Sequence, residues 1–233
     1  MSEAAPHEGG SLSGAVVTRA IEGLLGAVSA EASAALTRFS ELVSENARRY
    51  SLVSRAVQGE LGVHLVDSAA LLAALRADQS DSWDELADLG SGAGLPAVVI
   101  AILRRDARVV AVDSRNSRVV FLKQVRRELG LGNLEILHER LETLAGRRAF
   151  DLAVSRALGR VSDTLAASLR VVAPRGRLVL FKGPRWEQEA QQATRIAGEH
   201  GCELGWVRKV ELPEYGRTSW FVEFHVKQSG AGS

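Results

Sequence analysis

One cysteine, Cys202, in 233 residues excludes a disulfide framework. No Cys/His cluster has the spacing of a zinc site. No apolar run approaches the roughly 20 residues needed to cross a bilayer. Met1 to Gly14 has neither a basic leading segment nor an apolar core, so it does not read as a signal peptide. A reduced, cytoplasmic setting follows as the expectation, with no membrane partner and Cys202 as a buried inert thiol. Aromatic residues make up only 5% of the chain, which gives little material for a roofed apolar pocket. No internal repeat is visible.

What is there is ordinary globular composition, 46% hydrophobic and 24% charged, long enough for a large core plus an accessory region. The net charge of +1 conceals an asymmetry. Residues 1–87 hold 6 Lys/Arg against 12 Asp/Glu, and residues 88–233 hold 23 against 16. The halves therefore stand at −6 and +7. A basic second half suits a polyanionic partner such as nucleic acid, and it equally suits a solvated surface of arginines.

Residues 15–82 read as a helical region, with apolar residues at helical spacing in Val16–Val28, Leu36–Val43 and Leu61–Leu75. A break falls around Tyr50–Gly59, and a polar linker runs from Asp78 to Asp84. From residue 83 to 228 the pattern alternates. Strands are expected at 85–89, 108–112, 134–138, 150–155, 176–182, 204–211 and 218–227. Helices are expected at 95–104, 115–129, 160–172 and 186–200. Ser114 is the expected cap of the 115–129 helix, Val119, Leu122, Val125 and Leu129 its apolar stripe, and Gly130 its stop. Residues 1–14 and 229–233 read as disordered ends. Repeated strand–helix units predict an α/β fold with a doubly wound, mostly parallel sheet.

Asp88-Leu-Gly90-Ser-Gly92-Ala-Gly94-Leu95-Pro96 reads as a strand running into a glycine turn and then a helix. Glycine tolerates positive φ and lets backbone approach a ligand. The next strand ends in Asp113, about 20 residues on, where an acid can take ribose hydroxyls. A dinucleotide turn would be G-x-G-x-x-G, but Gly94 comes one residue early. The G-x-G-x-G form preceded by Asp88 resembles the S-adenosylmethionine turn of Rossmann-like class I methyltransferases. A packing turn without a ligand is the bland alternative. Asp88–Gly94, Asp113, Glu139–Glu142, Ser155–Arg156 and Lys182–Gly183 all fall at predicted strand ends, the edge where such sheets bind ligands.

The ordered set Asp88–Pro96, Asp113-Ser-x-x-x-Arg118-x-x-Phe121-Leu122, Arg140-Leu141-Glu142, Ser155-Arg156-Ala157 and Lys182-Gly183, with His64-x-x-Asp67-Ser68 before it, resembles the bacterial small-subunit rRNA guanine-N7 methyltransferases, also called glucose-inhibited division protein B. The resemblance covers roughly residues 40–227. It implies S-adenosyl-L-methionine as cofactor and methylation of a guanine N7 in 16S rRNA, on the small ribosomal subunit or its assembly intermediate, by a monomeric enzyme. It places Asp88, Gly90, Gly92, Gly94 and Leu95 in the cofactor turn, with Gly90 and Leu95 toward the methionine part. It makes Asp113 the ribose acid, sets Leu141 and Glu142 beside the adenine, and has Arg156 close the methionine end. Arg156 and Lys182 are the candidate catalytic residues. Two stretches depart from the family pattern: Glu45-Asn46-Ala-Arg48-Arg49-Tyr50-Ser51-Leu52 lacks the usual Trp and second Asn, and Gly216-Arg217-Thr-Ser219-Trp220 replaces Gly-x-Arg-His. Both bear on RNA contact.

Guanine N7 carries a lone pair and no proton, so its methylation needs no general base, and positioning and electrostatics carry the rate. The lack of an Asp/Asn-Pro-Pro-aromatic motif argues against methylation of an adenine amino group. Cys202, far from a strand end, argues against covalent pyrimidine chemistry. Arg126-Arg127 and Arg147-Arg148 are candidate RNA contacts or solvated faces. A non-catalytic RNA-binding protein and a small-molecule methyltransferase remain the alternatives at this point.

Overall fold

The structure is a computed structural model that describes residues 14–52, 59–77, 83–156 and 161–227. The sequence-predicted disordered ends, apart from Gly14, lie outside the described residues, as do much of the Tyr50–Gly59 break and of the Asp78–Asp84 linker.

Three helices come first: α1 (Gly14–Leu25), α2 (Ala30–Asn46) and α3 (Leu61–Arg76). Alternation then sets in with β1 (Glu85–Leu89), α4 (Ala97–Leu103), β2 (Arg108–Asp113), α5 (Asn116–Glu128), β3 (Leu134–His138), the short α6 (Leu141–Leu144), β4 (Phe150–Ser155), α7 (Val161–Leu169), β5 (Val172–Lys182), α8 (Trp186–Glu199), β6 (Cys202–Leu212) and β7 (Arg217–Val226). The strands form one sheet in the order β3-β2-β1-β4-β5-β7-β6, with β7 antiparallel to both of its neighbours. The interior strands are covered on both faces, so β1 and β2 read as apolar runs. The edge strand β6 alternates half-buried and exposed residues instead, with only its two end residues buried.

This order fixes where a site can be. The chain winds outward through β1, β2 and β3, then returns to place β4 beside β1. That reversal is a topological switch point, and the crevice lies at the carboxyl ends of the strands there. Leu89, Asp113, His138, Ser155 and Lys182 end their strands along this edge.

α3 is apolar nearly all round, as a helix enclosed by others must be. It packs on α1, on α4 and on β6. One buried cluster accordingly runs from Ile21 and Phe39 through Leu71 and Leu72 to Val99, Val109 and Phe121. The N-terminal helices and one face of the sheet share this core. The other face packs α7 and α8 around Leu165, Trp186 and Phe224.

Local expectations hold with three differences. β5 begins at Val172 rather than 176, because the Pro174-Arg175-Gly176 segment joins the ladder through a register shift, with Arg175 at φ +66°. Ser114 does not cap α5. Arg115 holds the cap position without a side-chain bond, and the Asp113 carboxylate takes the Arg115 N–H at 2.9 Å. Third, α5 carries the chain away from the site, so Arg126 and Arg127 in its last turn stand at the opposite edge of the sheet. Gly130, at φ +58°, ends the helix as its spacing predicts.

At that opposite edge Arg148 ties three strands together. It bonds Glu85 at 2.5 Å and Glu135 at 2.8 Å, while Arg108 reaches the same two acids. Hydrogen bonding from Arg148 lowers the Glu135 carboxyl below its usual range. A carboxyl lowered on folding contributes stability above its unfolded pKa, and that contribution is lost as pH falls. Arg148→Met is therefore expected to cost about 1–2 kcal/mol near pH 7, little of it below about pH 3. Denaturant melts of both proteins at the two pH values check this, and an equal difference at both would refute it.

Candidate active site

β1 turns into α4 through Gly90–Gly94. Gly90, Gly92 and Gly94 take φ of +80°, +57° and +94°, which L side chains rarely adopt. Their reasons differ. Gly90 forms part of the wall of a cleft. A Cβ on Gly92 would fit, 3.7 Å from Arg118, so its φ is the constraint. A Cβ on Gly94 would lie 2.5 Å from Val98 Cγ2 and 3.1 Å from Leu122 Cδ2, so this glycine serves the packing of α4 on α5. The turn is sewn to β2: the Gly90 and Ser91 N–H groups both donate to the Val112 carbonyl, at 2.9 and 3.0 Å.

Asp113 completes the stitching. Its Oδ2 accepts from Gly92 N–H at 2.8 Å and lies 3.4 Å from Arg118 Nη1, while Oδ1 accepts from Arg115 N–H. The residue is 4% exposed, yet it borders the cleft. Each carboxylate oxygen has lone pairs for a second partner beyond its backbone amide. A side chain so oriented can take two vicinal hydroxyls.

The cleft holds about 360 Å³. Of the residues expected from the sequence, Gly90, Asp113, Leu141 and Glu142 line it, the last two from the start of α6. Arg115, Arg118 and Arg140 line it as well, with Thr164 and Ala167 from α7. Arg118 and Arg140 belong to the motifs singled out in the sequence, whereas Arg115, Thr164 and Ala167 were not placed in the site. Arg118 had a signal, since a residue five after the strand-end acid on a following helix returns over it. Its Nε is buried without a hydrogen-bond partner. Arg115 lies two residues past the strand-end Asp113 and Arg140 directly after Glu139, but α7 lies far off in sequence and carried no sign.

Asp88 and Leu95 lie behind the turn. Leu95 belongs to the apolar core. Asp88 is 1% exposed, and its Oδ2 accepts from Ala97 N–H at 3.2 Å, while Oδ1 has no partner. Burial pushes its pKa up to about 7, only partly offset by that N–H and by the charge of Arg156.

The two strand-end cations do not project freely. Arg156 pairs with Asp67 of α3 at 2.9 Å and with His64 Nδ1 at 2.5 Å, above the ring of Phe181. The ion pair is thus with Asp67, rather than with Asp88 or Asp113. His64 is held neutral, its pKa lowered to about 4 by burial and then by Arg156, which lets Nδ1 accept. Asp67 also bonds the Ser219 hydroxyl on β7. Lys182 Nζ lies 2.6 Å from Glu189 of α8. Cys202 is buried at the start of β6, away from the cleft edge.

Comparison with known proteins gives a consistent picture. The sequence family described as rRNA small subunit methyltransferase G matches residues 32–213. A ribosomal RNA small subunit methyltransferase G from Nocardioides sp. is 37% identical over 180 residues, 71% of this chain and 72% of that protein. Another from Azoarcus sp. is 37% identical over 157 residues, 67% and 72%. Among solved structures, magnesium protoporphyrin IX methyltransferase from Synechocystis with bound S-adenosylmethionine superposes with a TM-score of 0.58 at 18% identity, over 86% of this chain and 99% of that one. A 16S rRNA (adenine(1408)-N(1))-methyltransferase variant from Catenulisporales acidiphilia gives 0.52 at 18%, over 67% and 91%. At that identity the structures share the fold, the class I methyltransferase fold expected from the sequence.

Asp88 makes stability depend on pH. A carboxyl whose pKa rises on folding binds its proton more tightly in the native state, so stability falls as pH climbs from about 4 to about 7. Asp88→Asn removes the buried charge and keeps the shape. Without cofactor it is expected to be more stable than the parent by on the order of 4 kcal/mol at pH 8 and about equal at pH 4. Thermal melts across that range check this, and parallel curves would refute it.

Proposed function

Because the chain belongs to the rRNA small subunit methyltransferase G family, we propose that it moves the methyl group of S-adenosylmethionine to N7 of a guanine in 16S rRNA, as a monomer acting on the small ribosomal subunit or its assembly intermediate. The observation that carries this reading is the Asp113 carboxylate. It holds the glycine turn and the start of α5 by two backbone amides and still borders the cleft.

In this reading Asp113 accepts the ribose hydroxyls, Gly90 gives the cofactor close passage along the turn, and Leu141 and Glu142 flank the adenine. When bound, S-adenosylmethionine supplies an electrophilic methyl on a positively charged sulfur, which keeps the bonding electron pair when the methyl leaves. Guanine N7 attacks with its own lone pair, so no residue has to remove a proton. The neutral, half-buried His64 is then a positioning group for Arg156 and not a base. Positive charge moves from sulfur to the base during transfer, and a cation directly at N7 would oppose this. Arg156 and Lys182 are each neutralised by a carboxylate. Their role is to hold guanine O6 or a neighbouring phosphate while leaving N7 free.

The direct test is the modification map of 16S rRNA from cells with and without the protein, joined to methyl transfer onto isolated small subunits. One N7-methylguanine that depends on the protein is the expected outcome. Methylation of metabolites alone, or no transfer, would overturn the reading.

Two variants divide binding from transfer. Asp113→Asn exchanges half of a charge-assisted acceptor for a donor, so the cofactor Kd is expected to rise about ten- to hundredfold. Calorimetric titration of a variant with unchanged melting checks this, and an unaltered Kd would remove Asp113 from the cofactor site. Lys182→Ala is expected to leave cofactor affinity alone while lowering the single-turnover methylation rate at saturating RNA. A wild-type rate would make Lys182 a solvating charge paired with Glu189.

A further inference from the structure

The cofactor cleft leaves a second basic place unexplained, at the opposite edge of the sheet. Lys123, Arg126 and Arg127 surround a shallow concavity of about 440 Å³ floored by Gly130, Leu131 and Gly132. All three cations are exposed. None forms a salt bridge among the described residues, although most of the other arginines at this edge are committed. Arg104 holds Asp106, Arg108 holds Glu135, and Arg148 holds Glu85 and Glu135. The single acid on α5, Glu128, is taken by Arg38 and Gln124 on the other flank of the helix.

The patch is joined to the cleft by one exposed helix face. Asn116, Val120, Lys123 and Arg127 are exposed at helical spacing, and Val120 remains 43% exposed. Arg115, just before the helix, lines the cleft. Thirteen residues at 1.5 Å each make the track about 20 Å long. No acid lies along it before Glu128.

We propose that this face of α5 is a second RNA-docking surface, on which Lys123, Arg126 and Arg127 grip the sugar–phosphate backbone of the RNA at a distance from the methylated base. The inference rests on RNA being the substrate. It adds where the strand or duplex around the target is held. Charge complementarity favours a polyanion, because unpaired cations in a concavity gain from phosphates by releasing counterions. The contact reads no bases, so it positions the substrate and leaves the choice of guanine to the cleft.

The test compares wild type with the triple variant Lys123→Ala, Arg126→Ala, Arg127→Ala, and with the charge-keeping Lys123→Arg, Arg126→Lys, Arg127→Lys. The probes are protein-free 16S rRNA and isolated small subunits. In a salt series, removing three phosphate contacts is expected to flatten the slope of log K against log salt by about 2–3. The KM for RNA is expected to rise about tenfold or more at physiological salt, with kcat at saturating RNA and cofactor Kd unchanged. The charge-keeping variant should retain the wild-type slope. An unchanged slope and KM in a folded alanine variant would overturn the proposal. So would weakened binding to small subunits alone, which would point to a ribosomal protein, or loss of concentration-dependent self-association with RNA binding intact. Failure of the wild type to methylate would sink the function, but the salt slope still reads the surface by itself.

Discussion

The hydrogen bond from Gly92 N–H to the Asp113 carboxylate, at 2.8 Å, is the constraint on which the rest of the site depends. It joins two loops that leave adjacent parallel strands. The same carboxylate fixes the first turn of α5 through Arg115 N–H, and the Val112 carbonyl beside it takes two more turn amides. Four backbone donors of the two loops are thereby satisfied without a ligand, which matters because orphaned backbone N–H groups are costly. The cleft is therefore built before anything enters it, and such preorganisation lowers the ordering cost of binding. Gly94 serves the same end from behind, letting α4 and α5 close on each other.

Charge at the cleft edge is arranged in balanced pairs. Arg156 meets Asp67 and Lys182 meets Glu189, across different elements. For a reaction that moves positive charge from a sulfur to a base, a net cationic wall would raise the barrier, whereas paired charges orient polar groups at little cost. The cluster of Lys123, Arg126 and Arg127, with no salt bridge among the described residues, lies away from these pairs, on the outer face of α5. The molecule thus separates two demands that conflict at close range: attracting a polyanion and generating a cation on one of its bases.

The sheet was legible in the sequence because parallel strands buried on both faces appear as short apolar runs between turn residues, as with Val109–Val112 and Leu152–Val154. The turn and Asp113 were legible because a turn of positive φ demands glycine and an acid closing the second strand falls beside it at the switch point. What stayed hidden was set by tertiary contact. Nothing local in His64 or Asp67 says that they would meet Arg156, about 90 residues on in the chain. Thr164 and Ala167 enter the cleft only because α7 crosses the switch point. Ser114 looked like a cap by residue type, but the neighbouring carboxylate, already fixed by Gly92, claims the first free amide. Arg126 and Arg127 looked like part of a basic half, while the direction of α5 puts them a whole strand length from the cleft.

The N-terminal helices are more than an appendage to a nucleotide-binding sheet. α3 contributes ten buried residues to the common core, and from that rigid seat it extends His64 and Asp67 to the end of β4. The Tyr50 ring, just past α2, packs on Phe121 of α5, and its carbonyl lies 3.4 Å from the Ser117 hydroxyl. Arg217, opening β7, pairs with Glu60 at the start of α3 at 2.5 Å. Three separate elements of the methyltransferase sheet are thus held by residues that precede it in sequence. Removing the helices would expose the apolar faces of α4 and β6 and would also leave Arg156 without both of its partners. A half-buried arginine deprived of its carboxylate is costly and moves toward water. The strand-end edge and the helical region therefore have to fold as one unit, and any sequence change that keeps the glycine turn but loses the seat of α3 would keep the cleft while leaving Arg156 without its carboxylate.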